Sequence, residues 1–214
     1  MTHRFNLEQL DFEFVTPVAD NDPRIDRPTL PQNIRRNCAI MWSHLDMLRE
    51  FLNSENEFGI FCEDDIHVRK EFKQLIPEIL QNYRRRNLEI LLLGYLLPYK
   101  PIQLNAPKEF AEFGLNLTYH SYPEDTWGSQ MYLLDRKTAA KFLEIYTVAY
   151  AEATVYDTLL TPFSPDWTLT KFGRRALIYP MLAVEMGTVV TSHTGQIDFH
   201  NRCHLAHYNP NDFI

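Results

Sequence analysis

The chain has 214 residues, with 21 Lys and Arg against 28 Asp and Glu, which gives a formal charge of −7 at pH 7. This acidic balance excludes a broad basic surface for a nucleic-acid backbone, so we expect no nucleic-acid partner. The length suits one substantial α/β domain, and no stretch is apolar over a membrane-spanning length. We therefore expect residues 1–214 to form a single domain without a membrane span.

Three cysteines are widely spaced along the chain: Cys38, Cys62 and Cys203. An odd number of cysteines, largely in apolar contexts, argues against a disulfide framework and against a zinc site. The first residues are polar and charged and lack the apolar core of a signal peptide. These features favour a soluble protein in a reducing, intracellular compartment.

Apolar and polar residues alternate over residues 11–16 and stop at Pro17, which predicts a first β-strand. The Asp-rich loop that follows contains Asp20. Nucleotide-binding sheets hold a ribose or base at such a place, although an Asx-rich turn explains the same residues equally well. We place Thr16 and Asp20 among the candidate nucleotide-binding residues.

Apolar residues recur three or four positions apart from Gln32 to Asn53 and predict a long amphipathic helix. Arg35, near its start, is a candidate phosphate ligand because its planar guanidinium donates several hydrogen bonds. Ser43 and His44 lie on or beside the apolar stripe. A histidine there is more often a hydrogen-bonded core residue than a ligand, so the core interpretation of His44 is favoured.

An apolar run from Phe58 to Cys62 leads directly into three carboxylates, Glu63, Asp64 and Asp65. The run predicts a buried strand, and open α/β sheets bind ligands at the carboxyl ends of such strands. Side chains alternate along an extended chain, so Glu63 and Asp65 point to the same side. Two hard oxygen donors there suit Mg²⁺ or Mn²⁺ shared with substrate phosphates. Solvated loop residues, or a cap on the next helix, explain the triplet equally well.

The middle of the chain alternates between helical and strand patterns. The predicted helices are 71–83 and 136–150, and the predicted strands are 88–94, 115–122 and 129–134. Pro77 predicts a kink or an early break in the first of these helices. Residues 98–114 predict a long irregular loop, and long loops in compact domains tend to be lids or binding loops.

Towards the C-terminus, Ser164 or Pro165 begins a predicted helix, with Asp166 in its first turn, where the helix dipole favours an acidic residue. A last apolar strand over 176–184 is interrupted at Pro180. Four of the eight histidines follow: His193, His200, His204 and His207. This clustering indicates a ligand among them.

Several motifs occur in a recognisable order. They are Cys38–Leu45, which contains Ser-His-Leu, then Glu63–Asp65, Trp127–Leu134, Pro165–Trp167 and Tyr179–Val184. In content and order they resemble the nucleotide-sugar-dependent glycosyltransferases of family 25, which have the GT-A fold, build lipopolysaccharide and modify collagen. The likeness covers most of residues 11–187. The first predicted strand departs from the family, because the strand lacks the family's Asn-Leu-Asp-Arg pattern. Recognition of the donor's base is therefore the family property that the resemblance supports least.

The resemblance implies an α/β fold of the GT-A type, with a mixed, mostly parallel central sheet flanked by helices. The chain also resembles, more closely, the N-terminal domain of a multidomain glycosyltransferase of chlorella viruses. That likeness implies that residues 1–214 are one module of a longer polypeptide and that its other domains are partners. It also implies an enzyme that acts on capsid glycans in host cytoplasm.

The same resemblance implies roles for individual residues. Mn²⁺ or Mg²⁺ would bridge the donor phosphates, held by Asp65, by Glu63 and by a C-terminal histidine, for which His193 is the first choice and His200 the second. The donor-binding candidates in the matched motifs are Ser43, Glu63 and Asp64.

The resemblance also places Asp166 at the acceptor side. If transfer inverts the anomeric centre, a general base must accept the proton of the acceptor hydroxyl. Asp166 is the first candidate for this base and Asp125 is its rival. If transfer retains the configuration, no such base is required.

The leading interpretation is a metal-dependent glycosyltransferase that moves a hexose or 6-deoxyhexose, such as rhamnose, from a nucleotide sugar to a carbohydrate acceptor. A UDP-sugar is the expected donor. Two alternatives stay open. A metal-dependent phosphohydrolase also uses carboxylates and histidines, although it usually needs more acidic ligands for two metals. A non-catalytic carbohydrate-binding module would use the tryptophans for stacking.

Overall fold

The computed structural model of the protein describes residues 1–19, 21–100, 117–122, 124, 126–187 and 194–214. The helices within these residues are α1 (Thr2–Leu7), α2 (Gln32–Asn53), α3 (Phe72–Arg85), α4 (Arg136–Ile145), α5 (Val148–Ala153) and α6 (Thr194–His207). The strands are β1 (Phe58–Cys62), β2 (Ile66–Val68), β3 (Ile90–Leu96), β4 (Thr118–His120), β5 (Trp127–Asp135), β6 (Arg175–Tyr179) and β7 (Ala183–Glu185).

Five strands form the central sheet in the order β1-β5-β3-β6-β4, and β2 pairs with β7 in a separate sheet. Helices pack against the central sheet, which confirms the predicted α/β class. The prediction of a mostly parallel sheet is wrong, because β3 with β6 is the one parallel pairing among the described strands. The cause lies in β5. It begins beside the end of β3, where Trp127 pairs with Leu96, and therefore runs back between β3 and β1.

Both faces of β3 are covered, which explains its unbroken apolar sequence. Ile90 and Leu92 pack into one core with α2 and α4, whereas Leu91 and Leu93 pack into a second core with α3. β1 lies at the edge of the sheet, and Phe61 is its one buried residue. The expected burial of β1 is therefore only partly correct.

The helices follow the sequence patterns closely in two cases. The helix predicted over Gln32–Asn53 is confirmed with the same bounds, and the helix predicted over 71–83 is confirmed as α3. α3 continues through Pro77, so the early break that this proline predicts does not occur. The helix predicted over 136–150 is two helices, because Thr147 caps α5 by accepting a hydrogen bond from the Tyr150 N–H. No helix in the described part of the chain is both long and apolar enough to cross a membrane.

The strands predicted over 88–94 and 129–134 are confirmed as β3 and β5. The interruption at Pro180 is also confirmed, because it separates β6 from β7. β4 represents the strand predicted over 115–122. Residues 101–116, which include most of the predicted irregular loop, lie outside the described residues.

The strand predicted over residues 11–16 is wrong. This segment forms no strand pairing and instead packs against α1, where the Phe12 ring meets Phe5 edge to face at 5.2 Å between ring centroids. Phe14 continues this contact on the outer side and is 61% exposed. The alternating pattern therefore reflects aromatic packing on a short helix and not a sheet strand.

The helix predicted to begin at Ser164 or Pro165 is also wrong, since this segment forms consecutive turns. The hydroxyl of Thr168 donates to the Ser164 carbonyl and that of Thr170 to the Asp166 carbonyl, each four residues earlier. Such side-chain bonds compete with a regular helix. The turns carry Asp166 towards the beginning of β5.

Candidate functional site

The carboxyl end of β1 brings the acidic triplet to one edge of the central sheet. The Glu63 backbone N–H donates to the Gln130 carbonyl of β5 at 3.0 Å. β2 follows the triplet directly and pairs with β7, beyond which the Met186 N–H donates to the Asp65 carbonyl at 2.8 Å. These backbone contacts hold the triplet against Glu185, the last residue of β7.

Four carboxylates interact electrostatically at this edge, and we call them the acidic cluster. They are Glu63, Asp65, Asp166 and Glu185. Burial, followed by repulsion between the carboxylates, raises the pKa values of Glu63 and Asp65, and burial is the main cause that raises the pKa of Asp166. The cluster therefore places carboxyl groups where their charged forms are poorly solvated.

Glu63 lies at the centre of these contacts. Desolvation, and then the charges of the other three cluster members, raise its pKa to about 8. The Ser129 hydroxyl donates to Oε1 at 2.7 Å and favours the ionised form. Because the side chain is still 32% exposed, a ligand can reach it. A carboxylate in this position is suited to binding a cation.

Glu63→Gln is expected to raise the melting temperature at pH 8 in EDTA and to change it little at pH 5. The folded-state pKa of about 8 lies above the ordinary value of 4.5, so the folded state binds the proton more tightly than the unfolded state. The wild-type protein therefore loses stability as the pH rises through this window, whereas the neutral amide does not. The amide oxygen still accepts the bond from Ser129.

The control is Glu57→Gln, which neutralises a carboxylate that is 68% exposed and paired with Arg84. This variant should show no gain that depends on pH. Melting curves recorded at both pH values on wild type and the two variants give the comparison. A Glu63→Gln difference that is the same at pH 5 and pH 8 would contradict the electrostatic account.

His44 is buried behind Glu63. Its Nε2 lies 4.0 Å from Glu63 Oε1, and its Nδ1 lies 3.0 Å from the Tyr132 hydroxyl. Burial lowers the pKa of His44 to about 4, so the ring is neutral at pH 7. The core interpretation favoured by the sequence fits this burial, and the structure adds that His44 borders the acidic cluster.

Asp166 reaches the beginning of β5, where its Oδ1 accepts a hydrogen bond from the Gly128 N–H at 2.8 Å. Gly128 has a φ of +108°, which side chains rarely allow. A β-carbon on Gly128 would also lie 2.7 Å from the Leu96 nitrogen. Glycine therefore permits the backbone geometry that presents this N–H to Asp166.

Two tryptophans and a lysine lie beside Asp166. The rings of Trp127 and Trp167 meet edge to face with centroids 4.6 Å apart, and Lys171 Nζ lies 3.8 Å from the Trp167 centroid. The charge of Lys171 lowers the pKa of Asp166 and so opposes the larger effect of burial. Both tryptophans are half-buried, which leaves aromatic surface for a ligand.

α6 brings a histidine to the acidic cluster. His200 Nδ1 lies 2.7 and 2.9 Å from the two carboxylate oxygens of Glu185, and this contact is the main cause that raises the pKa of His200. His200 is one of the histidines predicted from the sequence, whereas Glu185 was not predicted. The missed signal is simple: Glu185 ends an apolar strand, just as the acidic triplet follows one.

Two of the predicted ligand residues on α2 have other partners. The Arg35 guanidinium donates to the Asp26 carboxylate at 2.8 Å and also to backbone carbonyls of the preceding turn. The Ser43 hydroxyl donates to the Ala39 carbonyl and accepts from the Val18 N–H at 3.0 Å. Ser43 therefore ties the segment that precedes Asp20 to α2.

Among the described residues, two predicted site residues, Thr16 and Asp64, have no contact that decides their role. Thr16 and Asp64 are exposed, and the charge of Asp64 contributes to the raised pKa of Asp65. Three residues lie outside the described residues, so their roles stay predictions: Asp20, Asp125 and His193.

The acidic triplet supplies the donor atoms predicted for a divalent cation. Among the residues that the structure describes, no three His, Cys, Asp or Glu side chains are arranged to hold a metal ion. The chemistry of the donors nevertheless fits, because carboxylate oxygens are the ligands that Mg²⁺ and Mn²⁺ prefer. Asp65 Oδ1 is buried and has no hydrogen-bond partner within the described residues. Metal binding by Asp65 and Glu63 therefore stays a prediction.

The family model of glycosyltransferase family 25 (LPS biosynthesis protein) matches residues 35–160. The chain belongs to glycosyltransferase family 25. The family 25 match contains α2, the acidic triplet and all of β5, and it confirms the family that the motifs resemble. As a family 25 glycosyltransferase, the protein acts on a sugar donor and an acceptor. Asp166, Glu185 and His200 follow the matched segment, so their roles depend on the contacts described above. No curated protein matches the chain.

Proposed function

We propose that this family 25 protein moves a hexose or 6-deoxyhexose, with rhamnose a candidate, from a nucleoside diphosphate sugar to a glycan. Uridine diphosphate is the expected carrier, and the reaction is proposed to depend on Mn²⁺ or Mg²⁺. The observation that carries the proposal is that Glu63, Asp65, Asp166 and Glu185 lie at one sheet edge, held there by backbone pairing and by the hydrogen bond from the Gly128 N–H to Asp166. Titratable groups with perturbed pKa values that meet in this way are typical of functional sites.

The cation is assigned to Asp65 and Glu63, with His193 as the proposed third ligand. Support comes from the buried Asp65 Oδ1, which lacks a hydrogen-bond partner among the described residues, and from the poorly solvated Glu63 carboxylate. When bound, the cation supplies positive charge that stabilises the departing nucleoside diphosphate.

Asp166 is the proposed base for an inverting transfer. The Gly128 N–H fixes its Oδ1, and burial raises its pKa towards the range in which a carboxylate accepts a proton well at neutral pH. Trp127 and Trp167 offer aromatic surface on which the sugar ring of an acceptor can stack. Asp125 is the rival base, because it lies directly before Thr126 and Trp127 in the sequence.

Nucleotide contacts are proposed for the segment before α2 and for the start of α2. The Ser43 hydroxyl accepts a hydrogen bond from the Val18 N–H at 3.0 Å, so Ser43 positions the segment that contains Thr16 and precedes Asp20 in the sequence. Arg35 and the exposed Asp64 are further candidates for the nucleotide and its phosphates. These assignments extend the motif resemblance to individual residues.

The acceptor and the cellular context are proposed from the motif resemblance alone. By that resemblance the acceptor is a viral capsid N-glycan, the enzyme acts in host cytoplasm, and further domains of the same polypeptide are its partners.

A screen of nucleotide sugars tests the proposal. We expect one nucleotide sugar to be hydrolysed or transferred in Mn²⁺ and not in EDTA, and to raise the melting temperature. A ligand at a hundredfold excess over its dissociation constant adds about 2.7 kcal/mol to the free energy of unfolding, which a melting curve resolves. Free phosphate released from the donor would favour a phosphohydrolase, and glycan binding without any nucleotide binding would favour a carbohydrate-binding module.

A further inference from the structure

A cavity of about 580 Å³ is lined by residues from the end of α3, the end of β4 and the beginning of β6. Three arginines line it, Arg86, Arg174 and Arg175, and we call it the arginine cavity. Glu124 is the one carboxylate in its described lining, and no member of the acidic cluster belongs to that lining. The cavity is therefore positively charged, although the chain as a whole has a formal charge of −7.

Aromatic rings hold two of these guanidinium groups. The guanidinium carbon of Arg86 lies 4.7 Å from the centroid of the Tyr119 ring, and that of Arg175 lies 5.1 Å from the centroid of the Tyr122 ring. Such contacts restrict a guanidinium without using its N–H donors. Arg175 also pairs with Glu124, whose side chain is 72% exposed. Because a guanidinium has five N–H donors, Arg175 can hold Glu124 and a ligand together.

Backbone contacts fix the position of Arg174. Gly173 precedes it with a φ of +55°, and a β-carbon there would lie 2.0 Å from Glu89 Oε2. Glycine therefore lets the Arg174 N–H donate to that oxygen at 3.0 Å, while Lys141 Nζ lies 2.6 Å from Glu89 Oε1. The Arg174 guanidinium lies against the side-chain amide of Asn87 and forms no salt bridge within the described part of the chain. This guanidinium is therefore available to an anion.

The charges in the arginine cavity favour an anionic ligand. Three cations around one cavity repel one another, and an anion between them offsets this repulsion. The dipole of α3 favours a cation at its C-terminus, which accounts for Arg86 but not for Arg174 and Arg175. Arginine recognises phosphate and carboxylate groups through paired N–H donors, and the Ser121 hydroxyl in the lining is a further donor.

The arginine cavity adjoins the proposed acceptor side. Glu124 and Gly173 also line a neighbouring cavity of about 520 Å³. Trp167 and Lys171 belong to that neighbouring cavity, and Trp167 directly follows Asp166 in the sequence. A glycan that stacks on Trp167 can therefore extend into the arginine cavity.

We propose that the arginine cavity binds a phosphate or carboxylate group carried by the acceptor glycan. This inference rests on the proposed function and names the class of acceptor, an anionic glycan. The arginines bind the anionic group through charged hydrogen bonds, and no covalent step takes place there. The sugar that reacts lies in the neighbouring cavity, beside Asp166.

The test is calorimetric titration, without nucleotide, with trehalose 6-phosphate, trehalose and inorganic phosphate. The two disaccharides differ only in the phosphate group. We expect trehalose 6-phosphate to bind more tightly than either other probe, with an affinity that falls as the salt concentration rises. Arg174→Gln should weaken its binding about 10-fold, the lower end for a hydrogen bond to a charged group, because Arg174 is exposed. The double variant Arg86→Gln, Arg174→Gln should weaken it about 100-fold and leave trehalose binding unchanged.

Arg84→Gln is the matched control for the change at Arg86. Arg84 belongs to the same helix end, and its guanidinium carbon also lies over an aromatic ring, 4.6 Å from the Phe58 centroid. It pairs with Glu57 and does not line the arginine cavity, so affinity should not change. Melting curves verify that each variant is folded. If the double variant misfolds, the exposed Arg174→Gln decides the test alone.

Four results would overturn the inference while leaving the proposed function intact, since all are measured without nucleotide. They are no binding of either phosphate probe by the wild-type protein, unchanged affinity in Arg174→Gln, an equal loss in Arg84→Gln, and inorganic phosphate bound as tightly as trehalose 6-phosphate. The third would indicate a general effect of protein charge, and the fourth a site for the free anion. Failure of every nucleotide sugar to bind or react would instead overturn the proposed function, and the arginine cavity would then be a binding site for anionic glycans without transfer.

Discussion

Asp166→Asn is expected to lower the rate of sugar transfer about 10²- to 10⁴-fold if the reaction inverts the anomeric centre, which is the usual contribution of a general base. Donor affinity should stay near its wild-type value, and the melting temperature should stay the same or rise slightly, because burial raises the pKa of Asp166. In the wild-type protein the Gly128 N–H donates to Asp166 Oδ1 at 2.8 Å, and the amide oxygen of asparagine can still accept this hydrogen bond. The amide cannot act as a base, because it does not take a proton. Donor affinity and transfer rate must be measured on the same preparation.

Asp157→Asn is the matched control for this change. Asp157 also accepts one backbone N–H, that of Leu159 at 2.9 Å, but it is exposed and lies outside the acidic cluster. Asp125→Asn tests the rival base, and NMR of the product gives its anomeric configuration. With retained configuration, Asp166→Asn should act mainly on acceptor affinity. Full transfer activity in Asp166→Asn would leave this residue only its hydrogen bond to Gly128.

Local patterns in the sequence predicted much of the framework of the site. The apolar residues of Gln32–Asn53 recur every three or four positions because they lie on one face of a helix. The observed bounds of α2 agree with the prediction. The apolar run before Glu63 correctly placed the acidic triplet at the end of a strand. In both cases the residues that decide the prediction belong to one secondary-structure element or lie directly beside it in the sequence.

The errors arose where distant segments decide the structure. The direction of β5 depends on its entry beside Leu96, and no local pattern encodes that pairing. α6 was not predicted because its apolar residues form no stripe along one face, and its histidines instead contact β7. No pattern in the sequence indicates that the segment of His200 packs against the strand that ends at Glu185. The sequence therefore suggested a histidine ligand without its carboxylate partner.

Asp65→Ala is expected to keep the fold and to lower Mn²⁺-dependent donor affinity by about 100-fold or more, since even partners in the outer shell of a metal contribute 10- to 100-fold. Without ligand, the melting temperature should stay the same or rise slightly. The Asp65 carboxylate is partly desolvated and repelled by Glu185, and its Oδ1 has no hydrogen-bond partner among the described residues, so its removal costs the fold little.

Donor affinity and turnover are measured over a range of Mn²⁺ concentrations on wild type, Asp65→Ala and Asp198→Ala. These measurements separate the possible roles of the triplet. Asp198 is an exposed carboxylate on α6, paired with Arg202, and its loss should leave donor affinity unchanged. Activity of Asp65→Ala that returns only at much higher Mn²⁺ would assign most of the coordination to Glu63 and Asp64. Near wild-type turnover with the same metal dependence would mean that the triplet is a solvated loop, because a direct metal ligand cannot be removed without changing the metal concentration that the reaction needs.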